Sequence, residues 1–165
     1  MFLGFSKTGN RVEDDSFFLE AISSYMIDCS SMYAQFGNLA NISAMIYSYM
    51  EDINWAGFYL FDGEKLVLGP FQGEPACSTI SLDRGVCGAS ATEKKTLIVP
   101  DVSVFPCHIA CSGKSRSELV VPILKEDKLI GVIDIDSPLL DRFTSLDASL
   151  IERIASLVSD ILIQR

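Results

Sequence analysis

Apolar residues recur at helical spacing in the first third of the chain, alternate through the middle, and return to helical spacing at the end. Phe17, Phe18, Ala21, Ile22, Tyr25 and Met26 predict one helix. Leu39, Ile42, Met45, Ile46, Tyr49, Met50 and Ile53 predict a second, with Gly37-Asn38 as the expected break between them. Trp55 to Phe61 is aromatic-rich and reads as a strand whose Trp55, Gly57, Tyr59 and Phe61 share one face. Asp62-Gly63 is a turn and Lys65 to Leu68 its hairpin partner, which Gly69-Pro70 is expected to end. Phe71 to Ala76 reads as loop and Cys77 to Ile80 as a short strand. Asp83-Arg84-Gly85 turns into a helix from Val86 to Lys94, and Leu97-Ile98-Val99 is a brief strand stopped by Pro100. Asp101 to Ser117 has no clear period, and a long irregular stretch inside a compact domain is usually functional or mobile. Leu119 to Leu124 and Leu129 to Ile135 form an apolar hairpin joined by Lys125-Glu126-Asp127-Lys128. Thr144 with Asp147 is a capping box ahead of a final helix striped by Leu150, Ile151, Ile154, Leu157, Val158, Ile161 and Leu162.

The sum is an α+β domain with four to six mostly antiparallel strands and helices covering one face. A length of 165 residues suits a single domain, residues 1–165, with an adequate hydrophobic core. A formal net charge of -9 disfavours nucleic acid and anionic membrane as partners. No apolar run reaches the roughly 18–20 residues of a membrane span. Met1 to Lys7 is too short and too soon polar to read as a signal peptide, so a cytoplasmic location is expected. In that reducing compartment the five cysteines, Cys29, Cys77, Cys87, Cys107 and Cys111, are core filler, metal ligands or redox groups rather than a disulfide framework.

Three places carry candidate chemistry. Asp134 and Asp136 share a face of the last strand with Ile130 and Val132, and carboxylates on an apolar strand need a partner such as a ligand ammonium. The alternative is that the strand has ended and both acids are solvated. Cys87 follows Gly85-Val86 at a helix N-terminus, a location that favours the thiolate; taken singly, each free cysteine also fits a buried small hydrophobe. His108 with Cys111 suggests a Cys–His nucleophile pair or, with Cys107 and a more distant Cys, a zinc site, but Cys77 and Cys87 stand ten positions apart and the zinc pattern is weak, so His108 reads first as an ordinary loop histidine. Trp55, the only tryptophan, is either core or an aromatic wall for an apolar ligand group.

Several segments together resemble one family: Ile53-Asn54-Trp55-Ala56-Gly57-Phe58-Tyr59, Leu68-Gly69-Pro70-Phe71-Gln72-Gly73, Ala76-Cys77, Arg84-Gly85-Val86-Cys87-Gly88, His108-Ile109-Ala110-Cys111, Ser117-Glu118, and Gly131-Val132-Ile133-Asp134-Ile135-Asp136-Ser137. The set resembles the free methionine-(R)-sulfoxide reductases, enzymes built on a GAF domain. The match runs from about the second helix to the last; residues 1–30, a helical region, are the least similar. The resemblance implies an antiparallel sheet with helices on one face and a ligand pocket on the other. It implies Cys111 as catalytic cysteine, Cys77 as resolving cysteine, and Cys87 as a third thiol able to join the disulfide relay. Glu118, Asp134 and Asp136 would line the pocket with Trp55 and Tyr59. The implied reaction uses no cofactor and no metal: a thiolate takes oxygen from free methionine sulfoxide, an acid (Glu118 or one of the aspartates) supplies a proton, and the sulfenic acid closes to a disulfide recycled by thioredoxin. A homodimer and a role in oxidative stress come with the resemblance. Cys107 departs from the expected pattern. The main rival is a non-catalytic GAF module that senses a small ligand, and the second is a zinc-bound structural or interaction domain.

Overall fold

The computed structural model describes residues 7–27, 31–106 and 113–162. Two helices open it, α1 (Arg11–Tyr25) and α2 (Met32–Tyr49). Six strands follow, β1 (Trp55–Phe61), β2 (Leu66–Gly73), β3 (Thr79–Ile80), β4 (Leu97–Val99), β5 (Ser117–Lys125) and β6 (Lys128–Ser137), with helix α3 (Gly85–Glu93) between β3 and β4. A single 3-10 turn spans Val102–Val104, and α4 (Ser145–Ile161) closes the fold. The strands form one sheet in the order β3-β2-β1-β6-β5-β4, every pair antiparallel.

Period-two alternation divides the strands between two cores. Ala56, Phe58, Leu119, Val121, Ile123, Ile133 and Ile135 face α1, α2 and α4 and meet Phe18, Ile22, Ile42, Ile46, Ile151, Ile154 and Val158. Trp55, Tyr59, Leu66, Val120 and Val132 face the other way and pack with Val86, Cys87 and Ala91 of α3. The longer helices thus cover one face as expected, and the opposite face carries α3.

Three details differ from the expectations. The helix break falls between Tyr25 and Met32, not at Gly37-Asn38, which lie inside α2. Gly37 is exposed, so its ~1 kcal/mol propensity penalty is easily outweighed by the packed face of α2. Asn38 is buried because its side chain accepts from the Ile27 amide (3.0 Å) and donates to the Ile27 carbonyl (2.9 Å), holding the connection from α1. β2 does not stop at Gly69-Pro70 but runs to Gly73; the register shifts between Gly57 and Tyr59, and this bulge accommodates a proline that cannot donate to a ladder. Ile130 is the extra residue of a second irregularity, since Ile123 pairs Gly131 while Leu124 pairs Leu129. It therefore packs on the helix-side core instead of sharing a face with Val132. The β5–β6 hairpin turns through Glu126 and Asp127, both at positive φ (50° and 62°), the type I′ geometry that matches strand twist. The capping box at α4 forms as expected, Thr144 bonding the Asp147 amide and the Asp147 carboxylate receiving the Thr144 amide.

Candidate active site

The last strand has not ended at Asp134 and Asp136; both lie within β6. Pairing aligns Trp55, Asp136 and Glu118 in one row across β1, β6 and β5, and Gly57, Asp134 and Val120 in the next. Three carboxylates and the aromatic pair thus converge on the α3 side of the sheet. Glu118 and Asp134 are buried, each 6% exposed, and Asp136 is partly buried. Like charges directly opposite on neighbouring strands oppose folding, and no Lys or Arg ion pair reaches these acids among the described residues.

Their protons respond accordingly. Burial, then the charges of Asp134 and Asp136, push the Glu118 carboxyl well above its ordinary range. Burial raises Asp136 likewise, with Asp134 adding to it and the Ser115 hydroxyl pulling back. Asp134 is pushed up to about 6 by burial, while hydrogen bonding with Cys87, Glu118 and the Ile135 amide limits the rise. One Asp134 oxygen, Oδ1, is buried with no hydrogen-bond partner among the described residues. A buried carboxylate oxygen left bare is a site waiting for a donor.

Cys87 sits in the first turn of α3, as the sequence suggested, but the expectation of a favoured thiolate is overturned. The thiol is buried, 3% exposed, and donates to Glu118 Oε1 at 3.8 Å. Burial first, and then the charges of Asp134 and Glu118, push the thiol well above its ordinary value. Desolvation and two adjacent acids outweigh the partial charge of a helix end. Cys87 is a free thiol, whereas Cys77 is partly buried and disulfide-bonded. Cys29, Cys107, His108 and Cys111 lie outside the described residues, so the Cys111 role and the Cys–His and zinc readings built on them are not placed.

The aromatic wall is built from β1 and β2. Trp55 stacks on Tyr59 (centroids 5.9 Å apart) and on Phe71 (5.3 Å). Sequence reasoning missed Phe71 because it placed that residue in a loop. Trp55 Nε1 donates to the Glu74 carbonyl at 3.1 Å, and the Tyr59 hydroxyl donates to the Cys77 carbonyl at 3.1 Å, so both rings are pinned by their polar ends. Burial and the nearby charge of Asp134 drive the Tyr59 phenol far above its ordinary range, so it stays a neutral donor. Gly57 makes the stack feasible: a Cβ there would lie 2.4 Å from Phe71 Cβ and 2.6 Å from the Trp55 indole. Ser115 and Asn54 complete the rim, Asn54 Nδ2 donating to Ser115 Oγ at 3.3 Å.

The GAF domain family model matches residues 37–162. The free methionine-R-sulfoxide reductase of Saccharomyces cerevisiae is 47% identical over 130 residues, 74% of this chain and 72% of that protein. The free methionine-R-sulfoxide reductase of Escherichia coli is 50% identical over 109 residues, 66% of each chain. Among solved structures, the free methionine-R-sulfoxide reductase from Neisseria meningitidis in complex with its substrate matches with a TM-score of 0.88 at 36% identity, over 98% of this chain and 95% of that one.

Proposed function

This chain belongs to the GAF-domain family of free methionine-R-sulfoxide reductases, and from that premise we propose that it reduces free methionine-(R)-sulfoxide to methionine by thiol chemistry. The observation that carries the reading is the acid cluster of Glu118, Asp134 and Asp136 beside the Trp55–Tyr59 wall, with a bare, buried Asp134 oxygen. The carboxylates receive the substrate ammonium, which offsets their desolvation, and the wall receives the S-methyl end. A peptide nitrogen could not supply that ion pair, which accounts for selectivity toward the free amino acid.

In the first step the Cys111 thiolate attacks the sulfoxide sulfur and the S–O bond breaks. Protonation makes the oxygen a competent leaving group, and Glu118 is the candidate donor because burial and its acidic neighbours raise its affinity for a proton. The released water then attacks the Cys111 sulfur of the S–S-linked sulfonium adduct; that S–S bond breaks, methionine leaves with its electron pair, a proton is lost, and Cys111 is left as a sulfenic acid. The Cys77 thiol condenses with it, forming an S–S bond and releasing water. A dithiol protein of the thioredoxin type then supplies two electrons and two protons by exchange. The disulfide-bonded state of Cys77 and the free thiol of Cys87 support Cys77 as the resolving residue, with Cys87 in reserve. Cytoplasmic residence, a homodimeric state and a role in oxidative stress complete the proposal; no helix among the described residues is long and apolar enough to cross a membrane.

The test is peptide mapping of disulfides after one turnover with free methionine-(R)-sulfoxide and no reductant, beside NADPH consumption in a thioredoxin-coupled assay. A Cys77–Cys111 link and complete loss of turnover in Cys111→Ser are expected. A sulfoxide-binding Cys111→Ser variant of an already inactive wild type would instead establish the sensor reading, and a Cys87–Cys111 link would reassign the resolving role.

A further inference from the structure

Cys87 Sγ and one carboxylate oxygen each from Glu118 and Asp134 lie within 4.8 Å of one another, all three side chains buried. We propose that this trio binds a thiophilic divalent cation, Zn2+ above all, with a fourth position left for water. Thiolate and carboxylate are native zinc ligands, and three protein ligands with one open position is a recurrent arrangement. Donor atoms around tetrahedral zinc stand roughly 3.3–3.6 Å apart for Zn–S near ~2.3 Å and Zn–O near ~2.0–2.2 Å. Cys87 Sγ and Glu118 Oε1 are already at 3.8 Å, and no two donors of the trio stand more than 4.8 Å apart, so a closure of about 1 Å brings the widest pair to zinc-ligand spacing.

A second observation points to a ligand independently of the spacing. Asp134 Oδ1 is buried and unpartnered among the described residues, in a side chain only 6% exposed. A cation would satisfy that oxygen and compensate acids that no Lys or Arg neutralises among the described residues. On binding, the Cys87 thiol passes its proton to solvent as the S–Zn bond forms, and any proton held by the two carboxyls leaves with it. The donors stand on adjacent strands β5 and β6 and the first turn of α3, so the set is preorganised. It also persists while Cys77 is disulfide-bonded, because Cys87 remains free. The inhibitory consequence, a metal occupying the place of the substrate ammonium, rests on the reductase reading; the binding itself does not.

The experiment uses the full chain, stripped of metal and reduced with a non-chelating phosphine, titrated with Zn2+ against a chromogenic chelator in the absence of sulfoxide. One equivalent is expected to bind. It should be lost in Cys87→Ser, weakened about tenfold or more in Asp134→Asn, and retained when Cys29, Cys77, Cys107 and Cys111 are all replaced by Ser. Co2+ loading should give a thiolate-to-metal charge-transfer absorption that Cys87→Ser abolishes. Circular dichroism checks each fold, and Glu118→Gln with Asp134→Asn carries the test if Cys87→Ser does not fold. No stoichiometric binding, unchanged affinity in folded Cys87→Ser, or loss of binding in the four-serine variant would overturn the proposal. A chain that binds Zn2+ but reduces no sulfoxide leaves the metal site standing and refutes only the enzymatic reading.

Discussion

Replacing Asp134 by Asn is expected to make the protein more stable and less able to hold its substrate. The carboxyl titrates near its ordinary value of 3.8 in the unfolded chain and is pushed up to about 6 in the fold. Below 3.8 it is protonated in both states and costs nothing. Between these values the folded state holds the proton more tightly, so stability falls as pH rises, and above about 6 the full penalty is in force. A difference of about 2 pH units is worth about 3 kcal/mol. The substitution removes the titration but keeps a buried amide with an incompletely bonded oxygen, so the net gain at pH 7.5 is expected at about 1–3 kcal/mol. For a chain of this size that is a Tm increase of roughly 4–8 °C for about 2 kcal/mol. Calorimetric scans of Asp134→Asn and wild type at pH 4.5 and 7.5 measure it. The stabilisation should be about 2 kcal/mol larger at pH 7.5 than at pH 4.5, where roughly 1 kcal/mol of the penalty remains, while the dissociation constant for methionine sulfoxide rises in Asp134→Asn. A lower Tm for the variant at pH 7.5, or the same difference at both pH values, would refute the reasoning.

Gly57→Ala should cost about 1–3 kcal/mol, because its Cβ would sit 2.4 Å from Phe71 Cβ; the displaced stack should shift the fluorescence of Trp55, the only tryptophan, and raise KM more than it lowers kcat. Thr144→Ala removes the α4 cap and should cost about 1 kcal/mol, roughly 2–4 °C in Tm, with KM unchanged and Thr144→Ser nearly silent. Asn38→Ala deletes two hydrogen bonds to Ile27 and should destabilise by about 1–3 kcal/mol in urea denaturation, again without effect on substrate affinity.

Much of this fold was legible wherever a local rule and the tertiary structure agree. The alternation along Trp55 to Phe61 placed Trp55 and Tyr59 on one face, and the same parity put Asp134 and Asp136 together on the α3 side. The α4 capping box is a local device that needs no tertiary knowledge. The misses trace to tertiary effects. An exposed Gly37 tolerates a helix because neighbouring turns of α2 are held by the core, and Asn38 is buried for a partner eleven residues away. Gly69-Pro70 reads as a stop unless the bulge opposite Phe58 is known. Ile130 breaks parity for the same reason, a single extra residue in the ladder. The Cys87 thiol could be located at a helix start from sequence, but the carboxylates that reverse its acidity come from strands more than thirty residues on.

The Ile130 irregularity also marks where this chain can change length. Upstream of Gly131 an added residue has already been absorbed as a local bend. From Gly131 to Asp136 every position is locked between β1 and β5, and inserting or deleting one residue would exchange Val132 and Asp134 for Ile133 and Ile135. Carboxylates would then point at the helix-side core and isoleucines at α3. Descendants of this scaffold are therefore free to lengthen the β5–β6 tip and bound to conserve the spacing of the residues beyond it.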